Sequence, residues 1–326
     1  MVSVSYIGSL GRRLPRFVDT NLAAPTLQTT YTVVQPTGTV TSPFLNDALI
    51  NQTLTAPYFG VLADSTGKKP ASGGTGRPNI NFGAITNISD SVESKYNALV
   101  VALNRRLYHG LQIQSSYSYT HANDYGQSSQ TFTATNNVLN PFDLSAEYGR
   151  SNFDIRHRFI FAAVWSPDYY KGDSAFLKQV VNGFALSPIV TISSGAPFTP
   201  LIQGNAPSQT GTGGTFIAVT GGSGVLADGG SNRPPFLPTN AFQMPRTAIV
   251  DLRLAKDFAI WEQAKLTLSG DAFNLFNHVN FTAVDTQMYT ISGTNLNFNL
   301  HFGVPTQSSN SLIGQRQIQV GAKITF

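Results

Sequence analysis

The stretch Gln315-Arg316-Gln317-Ile318-Gln319-Val320-Gly321-Ala322-Lys323-Ile324-Thr325-Phe326 alternates with period two. Ile318, Val320, Ala322, Ile324 and Phe326 fall on one side, and Gln317, Gln319, Gly321, Lys323 and Thr325 on the other. Side chains of an extended chain point alternately to opposite faces, so this is a strand with one apolar and one polar face. It is also longer than the roughly 5 or 6 residues usual for strands of soluble proteins.

The same pattern recurs upstream. Leu111, Ile113, Ser115, Tyr117 and Tyr119 share one face, against Gln112, Gln114, Ser116, Ser118 and Thr120, with Ser115 the one lapse. In Thr247 to Asp257, Ala248, Val250, Leu252 and Leu254 oppose Thr247, Asp251 and Arg253, with Ile249 as the exception. Lys265 to Asp271 sets Leu266, Leu268 and Gly270 against Lys, Thr, Ser and Asp. Less regular strands are expected at Val2 to Ile7, Ile80 to Ile88, Lys95 to Arg105, Asp154 to Trp165, Gly183 to Ser193, and briefly near Phe281. Helical periodicity is almost absent.

Composition narrows where such strands can live. Charged residues are only 12%, about half the share in typical soluble domains, while aromatics reach 11% with 22 Phe and 12 Tyr. The net charge of +4 is scattered rather than gathered in a stripe, which argues against a nucleic-acid partner. Cysteine is absent, which removes thiol chemistry, Cys-ligated metals and disulfides. No run approaches the roughly 18 apolar residues of a membrane helix, so any membrane crossing uses strands. The start, Met-Val-Ser-Val-Ser-Tyr-Ile-Gly, lacks the basic and apolar regions of a signal peptide.

The connections alternate in length. Arg105 to Gly110 and Lys256 to Glu262 are short, whereas Thr120 to Asn152, Ser194 to Pro245 and Asn274 to Gly314 are long and rich in Gly, Ser, Thr and Asn. Tight turns at one rim and free loops at the other are the habit of transmembrane barrels. The expected fold is an all-β, antiparallel transmembrane β-barrel, present as about nine or ten strands of near-membrane length, with long extracellular loops and short periplasmic turns. Asn104-Arg105-Arg106 and Lys256 then lie at the periplasmic turns, and Trp165, Tyr169, Tyr170 and Trp261 in the girdle of rings beside them. A soluble β-sandwich also alternates, but it carries Lys and Glu on its wet face where these strands carry Gln, Ser, Thr and Asn.

Six segments in order, Val4-Ser5-Tyr6-Ile7-Gly8-Ser9-Leu10-Gly11, Lys95-Tyr96-Asn97-Ala98-Leu99, Ser116-Tyr117-Ser118-Tyr119-Thr120, Phe153-Asp154-Ile155-Arg156-His157-Arg158-Phe159, Ser193-Ser194-Gly195-Ala196-Pro197-Phe198 and Phe273-Asn274-Leu275-Phe276-Asn277-His278, carry a resemblance. Together with the last strand they resemble the C-terminal barrel portion of TonB-dependent receptor-like proteins of the Oar type, common in acidobacteria. The resemblance covers essentially residues 1–326. It implies a larger barrel with an N-terminal plug that engages TonB, neither plug nor N-terminal domain being included in this sequence. The terminal Ile318, Val320, Ala322, Ile324 and Phe326 look like the signal that the barrel-assembly machinery captures by β-augmentation. Outer-membrane lipid is the other expected partner.

Conventional site chemistry is sparse. His109, His121, His157, His278 and His301 show no metal-ligand spacing, and no cofactor is expected. Gly67-Lys68 fails as a phosphate loop because Leu62 and Lys69 stand at required Gly and Ser/Thr positions, and Gly222-Ser223-Gly224 is followed by Val225 rather than the closing Gly of a nucleophile elbow. Enzyme activity is not expected. Asp154, Arg156 and Arg158 are the candidates for a charged ladder on one lumen-facing strand face; polar residues at a barrel rim are the plainer reading. His278 is expected to end a strand or pair within a turn. The function expected is a barrel segment of a TonB-dependent transporter or receptor taking up a bulky ligand. The alternative is a structural or adhesion protein that does not transport.

Overall fold

The computed structural model describes residues 1–50, 52–63, 65–66, 77–79, 81–82, 85–126, 138–218, 225–226, 232–261, 264–308 and 314–326. Gly67-Lys68 and Gly222-Ser223-Gly224 lie outside them.

One antiparallel sheet dominates. Its long strands are β1 (Val2–Asp19), β2 (Thr86–Tyr108), β3 (Leu111–Asp124), β4 (His157–Trp165), β5 (Phe184–Ser193), β6 (Thr247–Ala259), β7 (Lys265–Phe273) and β8 (Gln317–Thr325), each paired with its sequence neighbour; the short Gly149–Arg150 adds to β3. The expected all-β antiparallel barrel wall is therefore present. Among the described residues β1 and β8 are the two ends of the sheet and do not pair with each other.

Register carries the alternation unbroken across the wall. Val4 pairs Val101, Val101 pairs Tyr117, Tyr117 pairs Phe159, Phe159 pairs Ile192, and Ile192 pairs Ala248. Farther round, Leu254 pairs Gly270 and Gly270 pairs Val320. One face is thus apolar and ring-rich, while the other shows Ser5, Gln114, Ser116, Ser118, Thr191, Arg253 and Asp271, mixed with small apolar residues. Ser115 lies on the apolar face between Leu103 and Phe161, and Ile249 on the polar one opposite Thr191, so both lapses in the pattern are genuine exceptions. From Leu111 to Tyr119 the apolar face runs eight residue steps, about 27 Å of strand and about 20 Å of membrane normal at a typical tilt. Wide aromatic residues mark its two ends, Tyr6, Tyr117, Tyr119 and Phe159 at one and Trp165, Phe184, Phe258 and Trp261 at the other.

Two strand boundaries differ from expectation. β1 continues twelve residues past Ile7, to Asp19, and Thr86–Tyr108 is one strand where Ile80 to Ile88 and Lys95 to Arg105 read as two. The two long strands rise together beyond the bilayer span as a fin, pairing as far as Asp19 with Thr86 through register shifts between Gly11 and Arg16. Above the membrane neither face has to be apolar, so the alternation that announces a strand disappears there, and Pro15 falls at the register shift between Leu14 and Arg16, where a bulge tolerates it. Near Phe281 there is only the short Ala283–Val284, paired with Pro305–Gln307.

The water-excluding core does not lie inside the wall. Tyr31, Val33, Ile202, Val225, Leu226, Met288, Tyr289, Leu296 and Phe302 are all essentially inaccessible, and all belong to the long connections. Four such connections interleave into an outer cap. Its largest sheet orders Leu201–Gln203, Gln287–Ser292, Asn295–Phe298, Leu27–Val34 and Thr53–Tyr58, drawing on three different connections. Phe44, Phe198, Phe242, Phe298 and Phe302 pack with ring centroids 5.0–6.1 Å apart, mostly edge to face or tilted. Buried hydroxyls are tied to the backbone, Tyr31 donating to the Val225 carbonyl at 2.9 Å and Tyr289 to that of Leu49 at 2.7 Å.

Candidate functional site: the junction of wall and cap

The motif segments meet at the rim where the wall passes into the cap. Ser151 and the residues after it form a hook held by Asp154 N–H donating to Ser151 O at 3.0 Å and Ile155 N–H to Phe153 O at 2.9 Å. The hook turns Asp154 inward, and its side chain is wholly buried. There its carboxylate accepts from the Ala122 amide (3.0 Å), Arg150 Nε (2.8 Å) and Arg156 Nη2 (2.9 Å). Burial alone would push this carboxyl up; the hydrogen bonds from Arg150, Ala122 and Arg156 and the charge of Arg156 hold it below the ordinary carboxylate range instead.

This geometry corrects the proposed ladder. β4 begins at His157 and Asp154 lies outside it, in the hook, while the Arg156 carbonyl still accepts from the Thr120 amide of β3 at 3.0 Å. Arg156 is bound to Asp154 itself. Arg158 lies on the polar wall face, paired across to Ser118 and Ser193. The physical reason is the buried carboxylate: satisfying it with three donors takes the backbone out of the extended ladder. The neighbouring segment locks on as well, with His157 N–H donating to Ser194 Oγ (3.0 Å), Ser194 N–H to His157 O (2.9 Å), and Tyr117 Oη lying 2.7 Å from His157 Nδ1.

A second charged knot was not legible in the sequence. Glu147, in the short 3-10 turn Leu144–Glu147, is buried with Arg16 of β1 (2.7 Å) and Arg233 of the cap as its ion-pair partners. It also accepts from the Leu139 amide at 2.6 Å, and Thr239 Oγ1 joins Arg233 to the Glu147 carbonyl. Burial lowers the Arg233 pKa, and the Glu147 charge opposes that. A third knot joins Arg77 Nη1 to Asp19 Oδ2 at 2.8 Å and to the Asn21 carbonyl at 3.0 Å. Single charges spaced 131, 86 and 58 residues apart carry no local signature.

The last motif is a corner. Asn274 and Asn277 sit at φ +49° and +51°, where Asn is among the few side chains readily accommodated. Asn274 Nδ2 donates to the carbonyls of His278 and Gly314 at 3.0 Å, its amide donates to Asp251 Oδ1 at 2.8 Å, and Asn277 Oδ1 accepts from the Arg316 amide at 3.1 Å. The top of β6, the end of β7 and the start of β8 are thereby fixed together, and His278 takes its place within the turn, Nδ1 3.2 Å from Asn280 Oδ1. In the remaining motif, Gly195 passes so close to the 244–245 backbone that an added Cβ would stand 1.8 Å from the Met244 carbonyl oxygen. That approach lets Pro197–Phe198 pair with Phe242–Gln243.

The residues expected as an assembly signal, Ile318, Val320, Ala322, Ile324 and Phe326, stand on and just past the edge strand β8, with Val320 82% and Phe326 89% exposed. Among the described residues no group of His, Cys, Asp or Glu is placed to hold a metal.

An antiparallel strand wall, greasy outside, polar inside and roofed by packed loops, defines a barrel of the outer membrane. The family model for the outer membrane beta barrel domain matches residues 1–319, and the chain belongs to that family. Its place is the bacterial outer membrane. No curated protein matches the sequence. Among solved structures, P. aeruginosa FpvA bound to heterologous pyoverdines, as an iron complex, is similar at 10% identity and a TM-score of 0.36 over 76% of this chain and 21% of that one. The chain thus spans about a fifth of the length of that structure.

Proposed function

We propose that residues 1–326 are the C-terminal wall and part of the outer cap of a TonB-dependent receptor that takes up a bulky ligand. The observation that carries this reading is the pair of unpaired edges, β1 and β8, on a wall whose inner face is polar. An unpaired backbone group in lipid costs several kcal/mol, so further strands must continue the wall on both sides and enlarge the lumen. A wall of more strands encloses a lumen wider than side chains fill, and at about 22 strands, the size this reading entails, such a lumen is plugged. The six ordered motifs support the same assignment, since they form the rim that fixes cap to wall. The cap supplies a folded outer surface on which a ligand larger than a porin solute can dock.

The reading is tested in the full-length protein in its own outer membrane. A photo-crosslinking side chain at Gln114 or Thr191, both on the inner face, should capture a lumen-filling domain of the same polypeptide. Labelling by small aqueous reagents with no such crosslink would instead favour a non-transporting structural or adhesion protein.

A further inference from the structure

Between β4 and β5, on the rim of short turns, lies the helix α1 (Ala175–Val181). Its N-terminus is capped by Ser174 Oγ, which accepts from the Leu177 amide. Its C-terminus is held from the wall: Lys256 of β6 donates Nζ to the carbonyls of Asn182 and Val180, a cation placed where the helix dipole is negative. Gln179 Nε2 donates to the Ala259 carbonyl at 2.9 Å, and the Asn182 side chain both accepts from the Tyr170 amide and donates to its carbonyl at 2.8 Å. A helix this short needs such clamps, because it is too short to persist by propensity.

The clamps set its orientation. At 100° per residue, Phe176, Val180, Leu177 and Val181 fall within one arc, while Lys178, Asn182 and Gln179 fall on the other. The polar arc closes a recess with Asp257 and Lys265, both on the inner wall face. The apolar arc looks away, with Phe176 74% and Val180 50% exposed. Lys256, which grips the helix end, belongs to the lipid-facing side of β6, with its Nζ 4.2 Å from the ring centroid of lipid-facing Phe184. The helix end thus adjoins the lipid face at Phe184, and the exposed rings of Trp165 and Tyr169 stand on the same rim.

We infer that α1 is a membrane-interface anchor: its apolar face lies in the boundary of the periplasmic leaflet, and its partner is the phospholipid itself. Adjacency to the lipid face at Phe184 supplies the apolar half of that partner, and Arg105, Arg106 and Lys171 on the same rim supply charges for headgroup phosphates. The assignment depends on membership of the barrel family and not on transport.

Residues 1–326 hold no cysteine, so with any cysteine elsewhere in the full-length protein replaced by serine, single nitroxide labels report one position each. The protein, taken from outer membranes and reconstituted in vesicles of phosphatidylethanolamine and phosphatidylglycerol, would be labelled at Phe176→Cys, Val180→Cys and Lys178→Cys. Val190→Cys on the lipid face and Thr294→Cys on an exposed turn of the cap serve as yardsticks in the same membrane. The expected result is severalfold more collision with oxygen than with a water-soluble nickel complex at 176 and 180, as at 190, and the reverse at 178, as at 294. Equal nickel access at all three helix positions would overturn the anchor. So would labels at 176 and 180 that are immobile and shielded from both reagents, since that is the signature of a protein partner.

Discussion

Asp154 shows how much a single side chain can organise at this rim. Three donors converge on it from two segments, so Asp154→Ala leaves two guanidiniums and the Ala122 amide without their acceptor. The guanidiniums are partly exposed and can rehydrate, which brings the expected loss down to about 2 kcal/mol. Its readout is faster tryptic cleavage after Arg150 and Arg156. The pH dependence has a definite sign. A carboxyl whose pKa is lower folded than unfolded adds stability that is present above the unfolded value, about 3.9, and disappears as pH falls through the folded value. Protection of the Ala122 amide from hydrogen exchange should accordingly survive at pH 5 and vanish only below the usual carboxylate range. Glu147 lies deeper, with Arg16 and Arg233 both nearly inaccessible around it. Glu147→Gln strands two buried cations and should cost about 3–5 kcal/mol, measured as a lower denaturant midpoint. Of these two residues, Asp154 could be singled out from its motif, although its role was misread as part of a strand. Glu147 could not, because its partners are brought to it only by the fold.

Strands were the legible elements wherever lipid stands on one side. β3, β6, β7 and β8 start and stop close to where alternation does, because a bilayer punishes each misplaced polar group. A charge on the lipid face at mid-depth should therefore cost about 2–4 kcal/mol, whereas the same charge one residue along should cost little. Comparing Val190→Arg with Thr191→Arg in folding titrations checks this, and equal effects would refute the assignment of faces. Where water replaces lipid the signal fades, which is why the fin of β1 and β2 read as fragments. Helix α1 escaped for a different reason: with only Ala175–Val181, its periodicity completes barely two turns. Its Ser174 cap and the Phe176/Val180 pairing were the available clues. At the element joining wall and cap, Gly195→Ala should push the 244–245 backbone away and separate Phe198 from Phe242. The expected signature is lost exchange protection of the Met244 amide, which donates to the Ala196 carbonyl at 2.9 Å.

For the whole molecule, hydrophobic residues are used twice and in opposite senses. The wall turns them outward to lipid; the cap turns them inward, away from water. Pattern reading detects the first use, since it repeats with period two, and misses the second, since Tyr31, Ile202, Val225 and Met288 come from three connections with no shared rhythm. The cap thus read as long loops, three of which the sequence marked out. Its pairings also set an order of events. Leu27–Val34 must find Asn295–Phe298, and Tyr289 must reach Leu49 across 240 residues, so none of the cap can close until the intervening wall strands hold their register. Contacts of such high sequence separation form slowly, because the closure entropy is met before any contact rewards it. Protection of the Thr32 amide, which donates to the Thr294 carbonyl at 2.9 Å, should appear after that of Val190 in pulse-labelled refolding. The roof then acts as a clock on assembly: a chain whose wall has mispaired by one strand has no way to finish its top, and stays open to proteases on the cell surface.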